Sequence, residues 1–191
     1  MSTRWIFIRH CESIANKYNV PSDFNTPITK KGIKQSMDLR EYLSNNWPNI
    51  DKVFYSPMMR AKQTAKILGY EHSGVPCDDI VERANGSLSA AFPNAYRRLA
   101  ACKTPEEYAK LHNTLLRAVG GECDDALTNR CCKFIKRLRK LSGNIIIITH
   151  GDFIESVLNE LIGIKRINIA NCSLTVYLPN EHEFELINYT Q

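Results

Sequence analysis

The hydrophobic and polar positions along the chain predict short buried strands that alternate with amphipathic helices. Apolar runs of strand-forming residues lie within 5–8, 53–55 and 144–149, and their lack of polar interruptions is typical of strands in a parallel sheet. Apolar residues recur at helical spacing within 35–43 and 153–162. Strands that alternate with helices predict a three-layer α/β/α sandwich with a mostly parallel central sheet.

Capping signals and breaks in this pattern place the other elements. Ser56 followed by proline predicts the start of a helix over 57–68, and Thr104 followed by proline and two acids predicts another. The remaining predicted segments are a loop at 17–28, loops and short helices at 75–103, a helix from after Gly121 to about Leu141, and closing strands at 174–178 and 184–189.

Composition narrows the class of protein. The chain has 191 residues, of which 43% are hydrophobic and 24% are charged, as in an ordinary globular protein. A chain of this length can bury one hydrophobic core without help from metal or disulfides. We therefore predict a single domain over 1–191, with a variable insertion at about 83–120 near the active site. There is no signal-like N-terminal segment, and the longest aliphatic run, 145–148, is too short to span a bilayer. We expect a cytoplasmic protein with no membrane partner.

The cysteines and charges bear on partners and cofactors. Seven cysteines without a C-x-x-C pair, two of them adjacent at 131–132, predict reduced thiols rather than a zinc site or a disulfide framework. The net charge of +5 favours anionic ligands. The basic run at 136–140 is compatible with a nucleic-acid or nuclear-import patch, but cations also suit the C-terminus of a helix. We interpret it in the second way and expect no nucleic-acid partner.

Two predicted strands end in histidine. Arg9 and His10 end the first strand and His150 ends the strand at 144–149, while Arg60 lies in the first turn of the predicted helix 57–68. Carboxyl ends of parallel strands meet at one edge of the sheet, which is where ligands bind in such folds. Two guanidinium groups, two imidazoles and nearby helix N-termini suit a tetrahedral dianion. The pattern therefore predicts a phosphate-binding pocket.

These residues lie within a series of motifs that resembles the histidine phosphatase superfamily, in the branch of the phosphoglycerate mutases and fructose-2,6-bisphosphatases. The first motif, Arg9-His10-Cys11-Glu12-Ser13 with Asn16, is similar to that family's R-H-G-E-S…N signature. Six further segments follow in the family's order: Thr26-Pro27-Ile28-Thr29 with Gly32 and Gln35; Ser56-Pro57-Met58-Met59-Arg60-Ala61 with Gln63-Thr64-Ala65; Glu82 with Gly86; Gly120-Gly121-Glu122; Thr149-His150-Gly151; and Asn171-Cys172-Ser173.

The resemblance implies a phosphoglycerate mutase-like fold and a phosphohistidine mechanism without metal or cofactor. By position, His10 would attack phosphorus, while Arg9, Arg60 and His150 would hold the phosphoryl oxygens. Glu82 would protonate the leaving group and then activate water. Asn16 and Gly151 would complete the substrate-binding set. Fixed cations suit this chemistry, because the transition state spreads negative charge over three oxygens.

The sequence leaves two assignments open, namely the identity of the catalytic acid and the state of Cys11. Glu71, Asp78 and Asp79 are alternative acids, and Glu82 is preferred over them for its spacing to Gly86. Cys11 stands where the family has glycine, next to the nucleophile. We weigh a reactive thiol with a lowered pKa, sensitive to peroxide, against a buried and inert thiol that replaces the glycine.

The function that we predict is phosphomonoesterase activity of the histidine acid phosphatase type, on a small phosphorylated substrate or a phosphorylated side chain. One alternative is mutase-type phosphoryl transfer. The other is a non-catalytic module that binds a phosphorylated ligand or a protein. We prefer hydrolysis to mutase activity because the family's mutases are longer and the segment 17–25 lacks their tryptophan-containing G-W stretch. The sequence names neither the physiological substrate nor the oligomeric state.

Overall fold

A six-stranded sheet with the order β3-β2-β4-β1-β5-β6 forms the centre of the fold in a computed structural model that describes residues 3–164 and 167–187. The strands are β1 (Arg4–Arg9), β2 (Lys52–Tyr55), β3 (Val75–Pro76), β4 (Asn144–Thr149), β5 (Leu174–Leu178) and β6 (Glu183–Ile187). β3, β2, β4 and β1 run parallel, whereas β5 is antiparallel to both β1 and β6. The prediction of a mostly parallel sheet is confirmed, and the predicted positions 188 and 189 of the last strand lie outside the described residues.

The helices follow the predicted pattern, with differences at their ends. They are α1 (Ile14–Tyr18), α2 (Lys30–Asn46), α3 (Met59–Ile67), α4 (Leu88–Ala91), α5 (Ala95–Ala100), α6 (Pro105–Ala118), α7 (Asp124–Leu138) and α8 (Gly151–Ile162), with a single 3₁₀ turn at Asp78–Ile80. The Thr104 hydroxyl caps α6 as predicted, by accepting from the backbone N–H of Glu107. The short helix α1 was not predicted and lies partly in the predicted loop at 17–28.

Helices pack on both faces of the sheet, which gives the three layers. On the face toward α2 and α3, alternate strand residues pack against helix residues in one hydrophobic cluster. The strand residues include Ile6, Ile8, Val53, Ile146 and Ile148, and the helix residues include Leu39, Leu43, Ala61 and Ala65. On the opposite face, the ring of Phe54 in β2 lies 5.7 Å from that of Phe134 in α7, which in turn lies 5.9 Å from Phe153 in α8. The three-layer prediction is confirmed. Among the described residues, no helix has the length and apolar character needed to cross a membrane.

The basic run at 136–140 coincides with the end of α7. Arg137 lies in the last turn of this helix, and its guanidinium carbon lies 4.6 Å from the centre of the Phe54 ring. Its Nη1 also donates to the Cys77 sulfur at 3.5 Å. Arg137 therefore has a packing role against the sheet, in line with the helix-terminus interpretation of this run.

Residues 83–130 form a second compact unit, separate from the unit built on the sheet. Its small core consists of Leu88, Ala95, Leu99, Leu115 and Leu116. Glu122 accepts two hydrogen bonds from Arg130, at 2.9 and 2.7 Å, and Asp124 accepts from Arg83 at 2.6 Å. The predicted insertion at about 83–120 falls within this unit, and its placement beside the active site stays a prediction.

Candidate active site

The two histidines that end predicted strands lie side by side. β1 and β4 are parallel neighbours in a register that pairs Arg9 with Thr149, so the next residue of each strand is a histidine. The backbone N–H of His10 donates to the Thr149 carbonyl at 2.9 Å, and the centres of the His10 and His150 rings lie 5.1 Å apart. Both histidines are buried. Adjacent parallel strands thus bring together residues that are 140 positions apart in sequence.

Hydrogen bonds fix the tautomer of His10. Arg60 Nε lies 3.2 Å from His10 Nε2, and His10 Nδ1 lies 2.9 Å from the Cys11 carbonyl. A guanidinium group only donates and a carbonyl only accepts. His10 Nδ1 therefore carries the proton, and Nε2 presents its lone pair.

The surroundings of His10 also keep it neutral. Burial is the largest cause that lowers the pKa of His10 well below its usual value of 6.5, and the charges of Arg60 and then Arg9 lower it further. The hydrogen bond to the Cys11 carbonyl opposes this shift. A neutral imidazole whose lone pair lies on Nε2, where it accepts from Arg60 Nε, has the protonation state required of a nucleophile.

Arg60 is only 1% exposed, and hydrogen bonds hold its guanidinium in place. Besides the contact with His10, its Nη1 donates to the Asp23 carbonyl at 2.9 Å. Burial lowers the pKa of Arg60, while the nearby carboxylate of Glu82 raises it. Arg60 is the second residue of α3, so the helix holds this cation beside the two histidines.

Arg9 has one buried donor, Nε, for which the described residues offer no acceptor. Its Nη1 donates to the Ile169 carbonyl, whereas its buried Nε has no hydrogen-bond partner within residues 3–164 and 167–187. A Cβ atom placed on Gly151 would lie 3.6 Å from this Nε, so the first residue of α8 lies against the guanidinium. Burial lowers the pKa of Arg9, and the charges of Glu82 and Asp152 oppose the shift.

Glu82 lies close enough to this cluster for its charge to act on both arginines. It is the largest carboxylate influence on the pKa of both Arg9 and Arg60. The Thr149 hydroxyl donates to the Ile80 carbonyl at 2.6 Å, which ties the segment before Glu82 to the end of β4. The alternative Glu71 instead forms an ion pair with Lys66 at 3.1 Å. That Glu82 is the catalytic acid remains a prediction, and its interaction with Arg9 and Arg60 supports it.

Asn16 serves the local structure of the loop that follows β1. Its side-chain oxygen accepts from the Ser13 backbone N–H at 3.1 Å and from Asn171 Nδ2 at 3.1 Å. With Ser13 it forms a capping box at the start of α1. Its part in substrate binding stays a prediction.

Three neighbours of the site had no chemical role in the sequence-based prediction. Ser56, predicted as a helix cap, does not cap α3, which begins at Met59. Its hydroxyl lies 2.8 Å from His150 Nε2. Asn171 Nδ2 donates to the His10 carbonyl at 3.1 Å, and the Thr64 hydroxyl accepts from the Cys11 N–H at 3.2 Å. All three lie inside motifs recognised in the sequence, and Thr64 follows Arg60 by one helical turn, which was the available signal.

The prediction of reduced cysteines is wrong for one pair. Cys11 and Cys172 form a disulfide, with Cα atoms 4.3 Å apart, and both are buried. Cys11 is therefore not the free thiol of low pKa that was weighed as a peroxide target. The error has a physical reason: β5 pairs antiparallel with β1, which brings Cys172 next to Cys11 across 161 positions of sequence. The other five cysteines are thiols, namely Cys77, Cys102, Cys123, Cys131 and Cys132.

Comparisons with known structures agree with this architecture. A putative alpha-ribazole-5'-P phosphatase from Escherichia coli is 22% identical, with 97% of this chain and 96% of that chain covered at a TM-score of 0.76. A phosphoglycerate mutase from Bacillus anthracis is 19% identical, with 97% and 92% covered and a TM-score of 0.75. A phosphoserine phosphatase from Entamoeba histolytica, in complex with phosphoserine, is 16% identical, with 97% and 95% covered and a TM-score of 0.74.

At these identities the structural likeness shows the fold, which confirms the phosphoglycerate mutase-like prediction. A search of curated protein sequences found no match. The family comparison reaches further, because the profile described as Histidine phosphatase superfamily (branch 1) matches residues 5–191. That span contains each of the seven motifs recognised in the sequence. The chain belongs to the histidine phosphatase superfamily, branch 1.

Proposed function

We propose that the protein hydrolyses phosphomonoesters through a phosphohistidine intermediate on His10. The observation that carries this proposal is the state of His10: a buried, neutral imidazole whose Nε2 lone pair faces the guanidinium of Arg60. A phosphoryl group placed there would meet the nucleophile and its charge-stabilising groups together.

In the first step, His10 Nε2 attacks phosphorus while the bond to the leaving oxygen breaks. Arg9 Nε, which has no protein acceptor among the described residues, supplies a donor for one phosphoryl oxygen. Arg60 and His150 supply further donors, and the N-terminus of α8 at Gly151 adds a favourable dipole. Fixed donors of this kind stabilise the charge that spreads over the phosphoryl oxygens without reorganisation of solvent.

Glu82 acts as the general acid in the first step and as the general base in the second. Its protonated carboxyl donates to the leaving oxygen in the first step, and the resulting carboxylate takes a proton from water in the second. The water oxygen attacks the phosphohistidine, the phosphorus–nitrogen bond breaks, and inorganic phosphate leaves with His10 neutral again. The electrostatic interaction of Glu82 with both Arg9 and Arg60 places its carboxyl near the proposed phosphate pocket, and this proximity supports the assignment.

These arginines supply the positive charge that the reaction needs, so we propose that it requires neither metal nor cofactor. Groups of three or more His, Cys, Asp or Glu side chains that could hold a metal ion are absent from the part of the chain that the structure describes. Activity after dialysis against EDTA tests this directly, and activity restored by a divalent ion would contradict it.

The substrate class that we propose is a small phosphomonoester or a phosphorylated side chain. The phosphatases among the structural neighbours, including the phosphoserine phosphatase, support a small phosphorylated substrate. Residues 16–25, next to the site through the Asp23 carbonyl, are exposed to solvent, which supports access of water to the intermediate. The sequence-based argument from chain length is weaker than stated, because 92% of the Bacillus anthracis mutase chain is covered.

The test is turnover of an aryl phosphate combined with mapping of the trapped phosphoryl group. We expect acid-labile, alkali-stable label on His10, and at least about a thousandfold loss of turnover in His10→Ala, because the nucleophile is removed. His72→Ala is the matched control, since His72 is an exposed histidine outside the site. Label on serine or cysteine would refute the mechanism. Binding of phosphate without turnover would favour the non-catalytic module.

A further inference from the structure

We infer that the Cys11–Cys172 disulfide positions His10 and Arg9 for catalysis, so that turnover depends on the oxidised state of this pair. This inference rests on the proposed function of the site and concerns two residues without an assigned role in it. The disulfide joins the loop after β1 to the residues just before β5. It lies directly beside the proposed nucleophile, since Cys11 follows His10 in the chain.

The segment around Cys172 holds both Arg9, the last residue of β1, and His10, which follows the strand. The Cys172 backbone N–H donates to the Arg9 carbonyl at 3.1 Å and to the His10 carbonyl at 3.3 Å. Asn171 Nδ2 donates to the same His10 carbonyl at 3.1 Å, and the Ile169 carbonyl accepts from Arg9 Nη1. Displacement of this segment would therefore change the backbone at His10 and the orientation of the Arg9 guanidinium together.

The other half of the disulfide fixes the state of His10. The Cys11 carbonyl accepts from His10 Nδ1, which keeps the lone pair on Nε2. The Cys11 N–H donates to the Thr64 hydroxyl, and that hydroxyl donates to the Arg60 carbonyl. Cys11 thus links the nucleophile to the helix that carries Arg60.

The backbone at Cys172 indicates what reduction would do. Cys172 has a φ of +64°, in the left-handed region that residues other than glycine adopt at an energetic cost. The covalent link to Cys11 helps to hold the residue there. Once the link is broken, relaxation of Cys172 toward negative φ would withdraw the donors that Cys172 and Asn171 direct at the His10 carbonyl.

The chemistry needs a dithiol reductant. One of its thiolates attacks a disulfide sulfur to give a mixed disulfide, and its second thiolate displaces the protein sulfur. Two electrons and two protons pass to the protein, which leaves thiols at Cys11 and Cys172 and a disulfide in the reductant. Because both cysteines are buried, the reductant must be small, or must act while this part of the chain is open.

Nonreducing peptide mapping provides the first test and must recover a Cys11–Cys172 linked peptide from the purified full chain. Its absence would overturn the inference. Reduction with dithiothreitol should then lower kcat for an aryl phosphate by roughly tenfold or more, because small displacements of reacting groups have effects of this size. Cys172→Ala should show the same loss and no further response to reductant. Cys132→Ser, which leaves the disulfide intact, should behave as the parent.

The ¹⁵N NMR spectrum of His10 separates positioning from simple cross-linking and does not depend on turnover. We expect the oxidised protein to show a proton on Nδ1 and a strongly lowered pKa of His10, and the reduced protein to lose this signature while it stays folded. Identical His10 spectra and identical kcat in the two states would overturn the inference. Absence of turnover in both states, with His10 spectra that still differ, would instead refute the proposed function and leave the positioning role supported.

Discussion

In the proposed mechanism, protonation of His10 should set the acid limit of activity, because only the neutral imidazole has a lone pair for attack on phosphorus. Burial, with help from Arg60, lowers the pKa of His10 well below 6.5. The imidazole should therefore stay neutral as the pH falls through 6.5, and its protonation should reduce kcat/KM only at lower pH. A titration of His10 followed by ¹⁵N NMR checks this. A midpoint near 6.5 would show that the pocket does not shift this residue.

Arg60→Gln tests the cause of that shift. Loss of the guanidinium charge beside Nε2 should raise the pKa of His10, although burial will keep it lowered. Arg60→Lys retains a cation and should raise the pKa less. An unchanged titration in Arg60→Gln would show that Arg60 does not contribute to the shift, which would leave burial and the charge of Arg9 as its causes.

Ser56 is expected to act through His150. Removal of its hydroxyl in Ser56→Ala takes away the partner that lies 2.8 Å from His150 Nε2. An unsatisfied buried polar group costs about 1–3 kcal/mol, and about 1.4 kcal/mol in the transition state is a tenfold change in rate. We expect kcat/KM for an aryl phosphate to fall by about tenfold. Ser44→Ala, which removes an exposed hydroxyl on α2, should have no effect, and equal activity of the two variants would remove Ser56 from the site.

Three strands show where the sequence pattern was sufficient to predict the structure. The strands β1, β2 and β4 are continuous apolar runs, and the polar residue after each of them, His10, Ser56 and His150, lies at one edge of the sheet. The rule that carboxyl ends of parallel strands meet was enough to predict the two histidines there. It was not enough for Ser56, because a serine before proline matches a helix cap equally well.

Other features depend on partners that local patterns do not identify. The contact between Arg60 and the Asp23 carbonyl involves a backbone group, which any residue at that position would offer. The Cys11–Cys172 pairing depends on the antiparallel register in which Ile8 faces Leu174. The odd number of cysteines and the lack of a C-x-x-C pair carry no information about strand register, so the sequence analysis did not predict this disulfide.

The ion pair between Glu122 and Arg130 should stabilise the unit formed by residues 83–130. Both side chains are only 16% exposed, and the guanidinium donates two hydrogen bonds to the carboxylate. Glu122→Gln should lower the free energy of unfolding by about 1–3 kcal/mol, because the strongest acceptor of a largely buried cation is lost. Urea unfolding followed by circular dichroism measures this effect.

The control for Glu122→Gln lies in the same unit. Arg117 and Asp125 form an exposed pair with 3.5 Å between Nη2 and Oδ2. Such surface pairs contribute about 0–1 kcal/mol, so Asp125→Asn should have a smaller effect than Glu122→Gln. Equal effects of the two substitutions would mean that burial does not strengthen the Glu122–Arg130 pair.

For the whole molecule, we expect release of phosphate to outpace transfer between hydroxyl groups. The exposed residues 16–25 leave the surroundings of Arg60 open to water, whereas a mutase must keep water from its intermediate. Incubation with 3-phosphoglycerate or 2-phosphoglycerate, with phosphate and both isomers quantified, separates the two reactions. Interconversion of the isomers faster than phosphate release would identify a mutase.

The two edge strands of the sheet affect how the protein behaves at high concentration. Exposed edges with free N–H and C=O groups are templates on which a second chain can add a strand and begin aggregation. At one edge, β3 has only two residues, and Pro76 has no N–H to offer. At the other edge, Glu183 and Glu185 of β6 are exposed and would oppose the same charges on another copy. Both edges therefore disfavour edge-to-edge addition of a second copy of the chain.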